Sequence, residues 1–266
     1  MPAGSRSLIA RVALAGALLC GRAASAGAQQ PLAEPPERVE FLPRLDFHMY
    51  AAGLREGDIQ FHWSTDFGGD VDILDYVAGR LSIVASYQAV FGDEFQPFDP
   101  NQNNYVLEVS SSLRTRPAEL AIAFNHVSRH LSDRPRIATV AWNTLRGRAL
   151  RQVRLRGGTL DLRGDVGVVT DRAFVDYRWM FSGEAAFRRP FNPQVLWYGR
   201  AMGESWGVND RYLRSTQRGG RIEGGLALSG RGAGLELFVG YEQVIDADAF
   251  ELAPRRWAFA GFRLVS

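Results

Sequence analysis

A serine lies between two histidines at alternate positions of the sequence, as His126, Ser128 and His130. Residues two apart in an extended strand project from the same face, with Cβ atoms roughly 6–7 Å apart, which their side chains can bridge. Serine becomes a nucleophile when a base takes its proton and a third group holds that base in the correct tautomer. The spacing therefore predicts acyl-transfer chemistry, provided that a neighbouring strand supplies the third group.

The third group is sought on the next segment of the chain. A turn at residues 131–135 would return the chain beside residues 119–130 and place residues 139–143 next to His126. Thr139 or Asn143 could then accept a hydrogen bond from the imidazole. We expect Asn143 to be the better candidate if a bulge or a register offset brings it opposite His126.

These residues resemble a known family. His126-Val127-Ser128, followed by Trp142-Asn143-Thr144-Leu145, is similar to the His-x-Ser and Trp-Asn-x-Leu pattern of outer-membrane phospholipase A. The resemblance covers mainly residues 124–145. It implies a twelve-stranded barrel with Ser128 as nucleophile, His126 as general base and Asn143 as the residue that orients it. The site would lie on the outer wall, at the outer leaflet.

The same resemblance implies membrane lipids as substrates, homodimerisation and Ca²⁺. Carboxylate oxygens are the ligands that Ca²⁺ prefers, and Asp133, Asp93 and Glu94 lie in predicted outer loops, with Asp133 as the main candidate. The alternative is that these acids are merely solvated. The lipid A deacylases of the outer membrane share His-x-Ser but use a glutamate as the third member, and no glutamate is suitably placed here.

The sequence departs from the phospholipase pattern after the serine. The family has Asn-Gly, whose glycine amide helps to bind the oxyanion, whereas Arg129-His130 stands here. The string His-x-Ser-x-His-Leu-x-Asp from His126 to Asp133 also resembles a group of functionally uncharacterised bacterial outer-membrane proteins. That second resemblance favours a barrel and does not favour an enzyme.

Alternation of apolar and polar residues predicts that the rest of the chain is all-β. Ile59, Phe61 and Trp63 share one face of an extended segment, for example, while Gln60 and His62 share the other. Strands about ten residues long with small turn residues between them are typical of an antiparallel transmembrane β-barrel of about twelve strands, or of a soluble secreted sandwich. We expect strands near 80–91, 105–113, 119–130, 136–148, 159–169, 174–187, 193–205, 220–230, 232–243 and 256–266, with two more within 57–78.

The N-terminus has the pattern of an export signal. Arg6 and Arg11 precede an apolar run that is followed by small residues up to Ala28, so residues 1–28 are predicted to be a cleaved signal peptide. A lipoprotein signal at Cys20 is the alternative, although the bulky Leu19 precedes that cysteine. Cleavage would leave no cysteine, which excludes disulfides and thiolate metal sites. Cleavage would also reduce the 31 basic residues to 28 and leave the 29 acidic residues unchanged. The cleaved chain would therefore have no excess of positive charge that indicates a nucleic-acid partner.

The remaining chain divides into a proline-rich periplasmic leader, 29–44, and a barrel, 45–266, within which residues 45–56 are predicted to be either an extra strand or a short plug. Long loops near 92–104, 206–219 and 244–255 are expected outside the cell. Arginines between 146 and 156 could attract anions, contact lipopolysaccharide or occupy a solvated turn. The predicted function is a serine acyl hydrolase of the bacterial outer membrane, and the alternative is a non-enzymatic barrel that is either structural or a narrow pore.

Overall fold

The computed structural model describes residues 34–55, 57–131, 138–248 and 250–266. Twelve antiparallel strands follow one another around a closed barrel, and the last strand pairs with the first. The strands are β1 (Glu40–Arg55), β2 (Trp63–Asp75), β3 (Arg80–Gly92), β4 (Asp99–Arg114), β5 (Glu119–Leu131), β6 (Val140–Leu155), β7 (Gly158–Ala173), β8 (Tyr177–Asn192), β9 (Val195–Val208), β10 (Gln217–Ser229), β11 (Gly234–Val244) and β12 (Arg255–Val265). The predicted all-β antiparallel barrel is confirmed. In the described ranges, no helix is long and apolar enough to cross a membrane.

The expectation of two strands within 57–78 is wrong. That region contains only β2, and the twelfth strand is β1, which occupies the ambiguous segment 45–56 and begins inside the predicted leader at Glu40. The signal peptide predicted at 1–28 lies outside the described residues.

The sequence obscures β1 for physical reasons. Pro43 lacks a backbone N–H, and the register of β1 against β2 shifts between Phe41 and Arg44. The small residues Ala51 and Ala52 then weaken the contrast between the two faces. The strand is stabilised by its partners instead: Ser266, at the end of the chain, donates its backbone N–H to the Phe47 carbonyl, at 3.0 Å.

The outer wall of the barrel is apolar. Alternate residues of β5 show the pattern, because Ile122 and Phe124 are exposed whereas Ala123 and Asn125 are buried inside. The exposed large apolar side chains include Phe47, Phe67, Tyr105, Phe124, Leu145, Val168, Phe181, Trp197, Ile222, Leu237 and Phe262, from eleven of the strands. An apolar exterior around a polar interior is the arrangement of a membrane-spanning barrel and not of a soluble sandwich.

The two ends of the barrel differ. At one end, which we call the terminal end, β1 begins and β12 ends. The same end carries the short turns at 76–79, 115–118, 156–157, 193–194 and 230–233. The opposite end, called the loop end, carries the connections at 93–98, 209–216 and 245–254, which correspond to the three long loops expected from the sequence. The first of these is shorter than predicted because β4 already begins at Asp99.

Paired charges fill the interior, which we call the lumen. The guanidinium of Arg80 is fully buried and donates to Asp72 at 3.0 Å and to Glu119 at 2.8 Å. Arg148 binds Glu108 and Asp165 in the same way, each at 2.7 Å. Further lumenal ion pairs join Arg44, Arg114, Arg163, Arg200, Arg221 and Arg263 to carboxylates. Clusters of buried apolar and aromatic side chains pack beside them.

Candidate functional site on the outer wall

The candidate site lies where β5 approaches the loop end of the barrel. Its side chains continue the outward row that begins with Ile122 and Phe124, so His126, Ser128 and His130 all lie on the outer wall, each partly exposed. The next strand, β6, brings Asn143 directly opposite His126. The polar cluster therefore follows an apolar surface along one strand.

The contact between His126 and Asn143 is the most direct feature of the site. His126 Nδ1 lies 2.7 Å from Asn143 Oδ1, so a protonated Nδ1 donates to the amide oxygen and leaves Nε2 as an acceptor in the neutral imidazole. Asn143 thus contacts His126 as expected, but no bulge or offset is needed. Thr139 precedes β6 and lies beyond the paired residues.

Ser128 makes its hydrogen bond with the other histidine. Its Oγ lies 2.8 Å from Nε2 of His130, whereas the imidazole of His126 is bound to Asn143. The arrangement therefore consists of two separate pairs, Ser128 with His130 and His126 with Asn143. Activation of Ser128 by His126 would require the serine hydroxyl to rotate away from His130, and catalytic hydrogen bonds often tighten only when substrate is bound.

An aromatic row continues from this cluster around the wall. Tyr105 lies opposite Ser128 on β4, and its ring meets the imidazole of His130 edge-on at 5.3 Å between centroids. Tyr87 and Phe67 extend the row over β3 and β2, at 5.0 and 4.9 Å. Aromatic rings at this level are typical of the membrane interface. The alternation of these aromatic residues with their neighbours is visible in the sequence, but the contact of the row with His130 is not.

An acidic residue, Asp171 on β7, lies next to Asn143 on the side away from His126. Asp171 is paired with Asn143, while Thr144 is paired with Val169, which leaves Thr170 as an extra residue in a bulge. Asp171 is exposed. Sequence reasoning missed this residue because the register of β7 against β6 is set by the bulge.

The other two histidines, His48 and His62, each have a carboxylate partner. His48 is buried in the lumen, where its Nε2 lies 2.9 Å from Asp66, a carboxylate that also accepts a hydrogen bond from Ser86. His62 lies in the first connection at the loop end, 2.8 Å from Asp93. The backbone N–H of Phe98 and, secondly, His62 hold the pKa of Asp93 below its usual value. The spacing of the sequence does not reveal either acidic partner.

The Ca²⁺ prediction has no structural counterpart among the described residues. Asp133 lies outside them. Of the other two loop acids, Asp93 is bound to His62, and Glu94 accepts a hydrogen bond from Gln60 at 3.4 Å. In the part of the chain that the structure describes, no group of three or more His, Cys, Asp or Glu residues could hold a metal ion.

The arginine-rich stretch divides between two environments. Arg146 and Arg148 are buried in the lumen beside Glu108, whereas Arg151 and Arg154 are exposed. Strand alternation explains the exposure of Arg151, because even positions of β6 face the lumen as far as Leu150. Arg154 also has an even number but is exposed, close to the turn at 156–157. The stretch is therefore not one continuous anion-binding surface.

Comparison with known proteins assigns no family to this chain. No family model matches the chain, and no curated protein matches it either. Among solved structures, the translocator domain of the autotransporter NalP from Neisseria meningitidis is similar over 83% of this chain and 85% of that chain, with 11% identity and a TM-score of 0.37. The closed sheet, its apolar wall and its charged lumen define an outer-membrane-type β-barrel.

Proposed function

We propose that this chain is a barrel of the bacterial outer membrane that is closed to solutes and has no enzymatic activity. The loop end faces the exterior, and residues 1–28 direct export. The observation that carries the proposal is the filling of the lumen by buried, mutually paired charges. In a water-filled pore such groups would be hydrated, whereas Arg80 and Arg148 are almost inaccessible to solvent.

The ion pairs also make the closed state difficult to open. Arg148 joins Glu108 on β4 to Asp165 on β7, and Arg80 joins Asp72 on β2 to Glu119 on β5. Breaking a buried pair leaves an uncompensated charge, which costs about 3–5 kcal/mol. Several such cross-links make the lumen part of the folded core.

Osmotic swelling of proteoliposomes tests this proposal. We expect vesicles that contain the folded barrel to swell in isotonic arabinose no faster than protein-free vesicles. Vesicles that contain a general porin provide the positive control. Swelling that increases in proportion to the amount of folded barrel would show an open pore and contradict the proposal.

A second candidate function is acyl hydrolysis of membrane lipids, and the hydrogen bond between His126 and Asn143 favours it. In this proposal the imidazole takes the proton of Ser128 Oγ as the oxygen attacks the ester carbonyl. Collapse of the tetrahedral intermediate breaks the ester bond, and the leaving alcohol receives that proton. Water then hydrolyses the acyl-serine with the same histidine as base. Because the side chains face outward, lipid would reach them from the bilayer.

Ca²⁺ and homodimerisation belong to this second proposal through the phospholipase resemblance, with Asp133 as the proposed ligand. The test is fatty-acid release from phospholipid in detergent, with and without Ca²⁺, by the wild type and by Ser128→Ala. Ser111→Ala is a matched control, since Ser111 is also an exposed serine, on β4 and towards the terminal end. Release that is lost only in Ser128→Ala would support the hydrolase, and release that survives this substitution would exclude it.

A further inference from the structure

Residues 244–247, which we call the inserted segment, fold into the mouth of the lumen. All four are buried, at 9% exposure or less, although Val244 ends β11 and the other three follow it at the loop end. Ile245 belongs to the apolar cluster that contains Trp142 and Trp206, whereas Ala247 belongs to the other lumenal cluster. The segment thus lies against two separate cores and covers the lumen from the loop end.

One arginine from a different connection holds this segment. Arg214, between β9 and β10, directs its Nε and Nη2 to the carboxylate of Asp176, at 2.8 and 2.5 Å. Its Nη1 and Nη2 donate to the carboxylate of Asp246, at 2.6 and 2.9 Å. Asp176 lies between β7 and β8, and Asp246 belongs to the inserted segment. A single planar guanidinium therefore fastens three connections together.

Two side chains from the barrel wall complete the attachment of Asp246. The hydroxyl of Tyr177 donates to its carboxylate at 2.5 Å, and Arg129 donates to its backbone carbonyl. Burial by itself would lower the pKa of Arg214, but its hydrogen bonds with Asp176 and Asp246 outweigh burial and raise the pKa. The guanidinium therefore stays charged at every accessible pH.

Backbone strain is concentrated in the same three connections. Phe174, Leu213, Asp246 and Leu252 have φ values of 60°, 52°, 47° and 53°, in the left-handed region that disfavours side chains with a Cβ. They are four of the seven non-glycine residues with positive φ among those described. Strained residues persist only where surrounding contacts enforce them, and they are common in switch regions.

The inserted segment also forms one side of a polar cavity of about 30 Å³. Val244 and Ala247 line the cavity together with Arg129, Gln102 and Asn104 of the wall. The oxygen Oε1 of Gln102 is buried and has no hydrogen-bond partner among the described residues. Polar groups of this kind bind water or a small polar solute when solvent can reach them.

We propose that the inserted segment is a displaceable cover and that Arg214 is its latch. With the latch formed, the cover separates the polar cavity from the exterior. When the two carboxylates lose Arg214, the strain in the three connections favours release of the segment, and the cavity opens to water and small polar solutes. This inference goes beyond a permanently closed barrel, because it assigns closure at the loop end to one set of reversible contacts.

Cysteine labelling tests the latch, because Cys20 is the only natural cysteine and lies in the predicted signal peptide. Ala247→Cys, in signal-free protein folded in detergent, is treated with a bulky charged maleimide. We expect slow labelling in the otherwise wild-type chain and a rise on the order of tenfold or more when Arg214→Ala is added, since several charge-assisted hydrogen bonds are lost. Heat-shifted mobility in SDS gels verifies that each variant is folded.

Arg211→Ala provides the matched control. Arg211 lies in the same connection but is exposed, and its guanidinium stacks on Tyr212 at 5.1 Å. Its substitution should leave the labelling rate of Ala247→Cys unchanged. Equal rates with and without Arg214, or an equal rise in the Arg211 variant, would overturn the proposal. Val244→Cys supplies a second reporter on the same segment if Ala247→Cys does not fold.

Discussion

His126 and Asn143 face each other across β5 and β6, with Nδ1 of the imidazole 2.7 Å from Oδ1 of the amide. An amide oxygen in this position selects the tautomer with a proton on Nδ1 and an acceptor at Nε2. Asn143→Ala removes that selection. The hydrolase candidate therefore predicts that fatty-acid release falls by about 10- to 100-fold, through kcat, while the barrel remains folded. If Asn143→Ala released fatty acid at the wild-type rate, a catalytic role for Asn143 would be excluded.

The two histidines should differ in their effect on acyl release. His126→Ala removes the proposed base, and the expected loss is at least about 10³-fold. His130→Ala frees the hydroxyl of Ser128 from its 2.8 Å hydrogen bond, so activity should stay within about tenfold of the wild type. Initial rates of both variants under identical detergent conditions provide the comparison. If His130→Ala were instead the more damaging substitution, the base would be His130.

Removal of Arg148 should destabilise the barrel strongly. Arg148→Met leaves Glu108 as a buried acid without its main partner and leaves Asp165 with Arg163 as its remaining ion pair, at an expected cost of about 3–5 kcal/mol. Arg151→Met on the same strand, whose arginine is exposed, should change stability by less than about 0.5 kcal/mol. Urea unfolding in lipid vesicles, monitored by tryptophan fluorescence, measures both. Similar midpoints for the two variants would mean that the lumenal charges are hydrated rather than paired.

Acid should loosen the contact between two connections at the loop end. Asp93 accepts hydrogen bonds from Phe98 N–H and from His62, which lower its pKa. A carboxylate with a lowered folded-state pKa contributes stability above its ordinary pKa, about 3.9, and that contribution disappears as pH falls through the folded-state value. We therefore expect faster proteolysis of residues 93–98 by pepsin below about pH 3.9 than just above it, after correction for pepsin activity. Asp93→Asn should already show the faster rate at higher pH. A pH dependence that is identical in this variant would exclude Asp93 as its cause.

The barrel was predictable because its signals are local. Alternation in segments such as 119–130 and small residues in the turns predicted the strands, since each side chain must face either lipid or lumen. The first strand could not be distinguished from a short plug because Pro43 and the small residues at 51–53 interrupt the pattern. The polar residues Asp46 and His48 also depend on side-chain partners, Arg44 on the same strand and Asp66 on β2. The sequence does not specify such partners.

The candidate site was predictable only in part. His126 and Asn143 lie on consecutive strands, so a hairpin argument was enough to bring them together. Tyr105 and Asp171 depend on the register of β4 and β7, which is set by whole-strand pairing and by a bulge. The partner of Ser128 depends on a side-chain rotation that no spacing rule determines. The attachment of Asp246 by Arg214 joins connections far apart in sequence and left no local signal.

Single-channel recording of the wild-type barrel in planar bilayers is the most direct test of the claim that paired charges close the lumen. After insertion has been verified by protease protection and by heat-shifted mobility, the account predicts no steps of conductance above the bare membrane at neutral pH and moderate voltage. Stable, uniform conductance steps from the folded wild-type protein would contradict it, because ions would then be crossing the lumen past the buried ion pairs of Arg80 and Arg148.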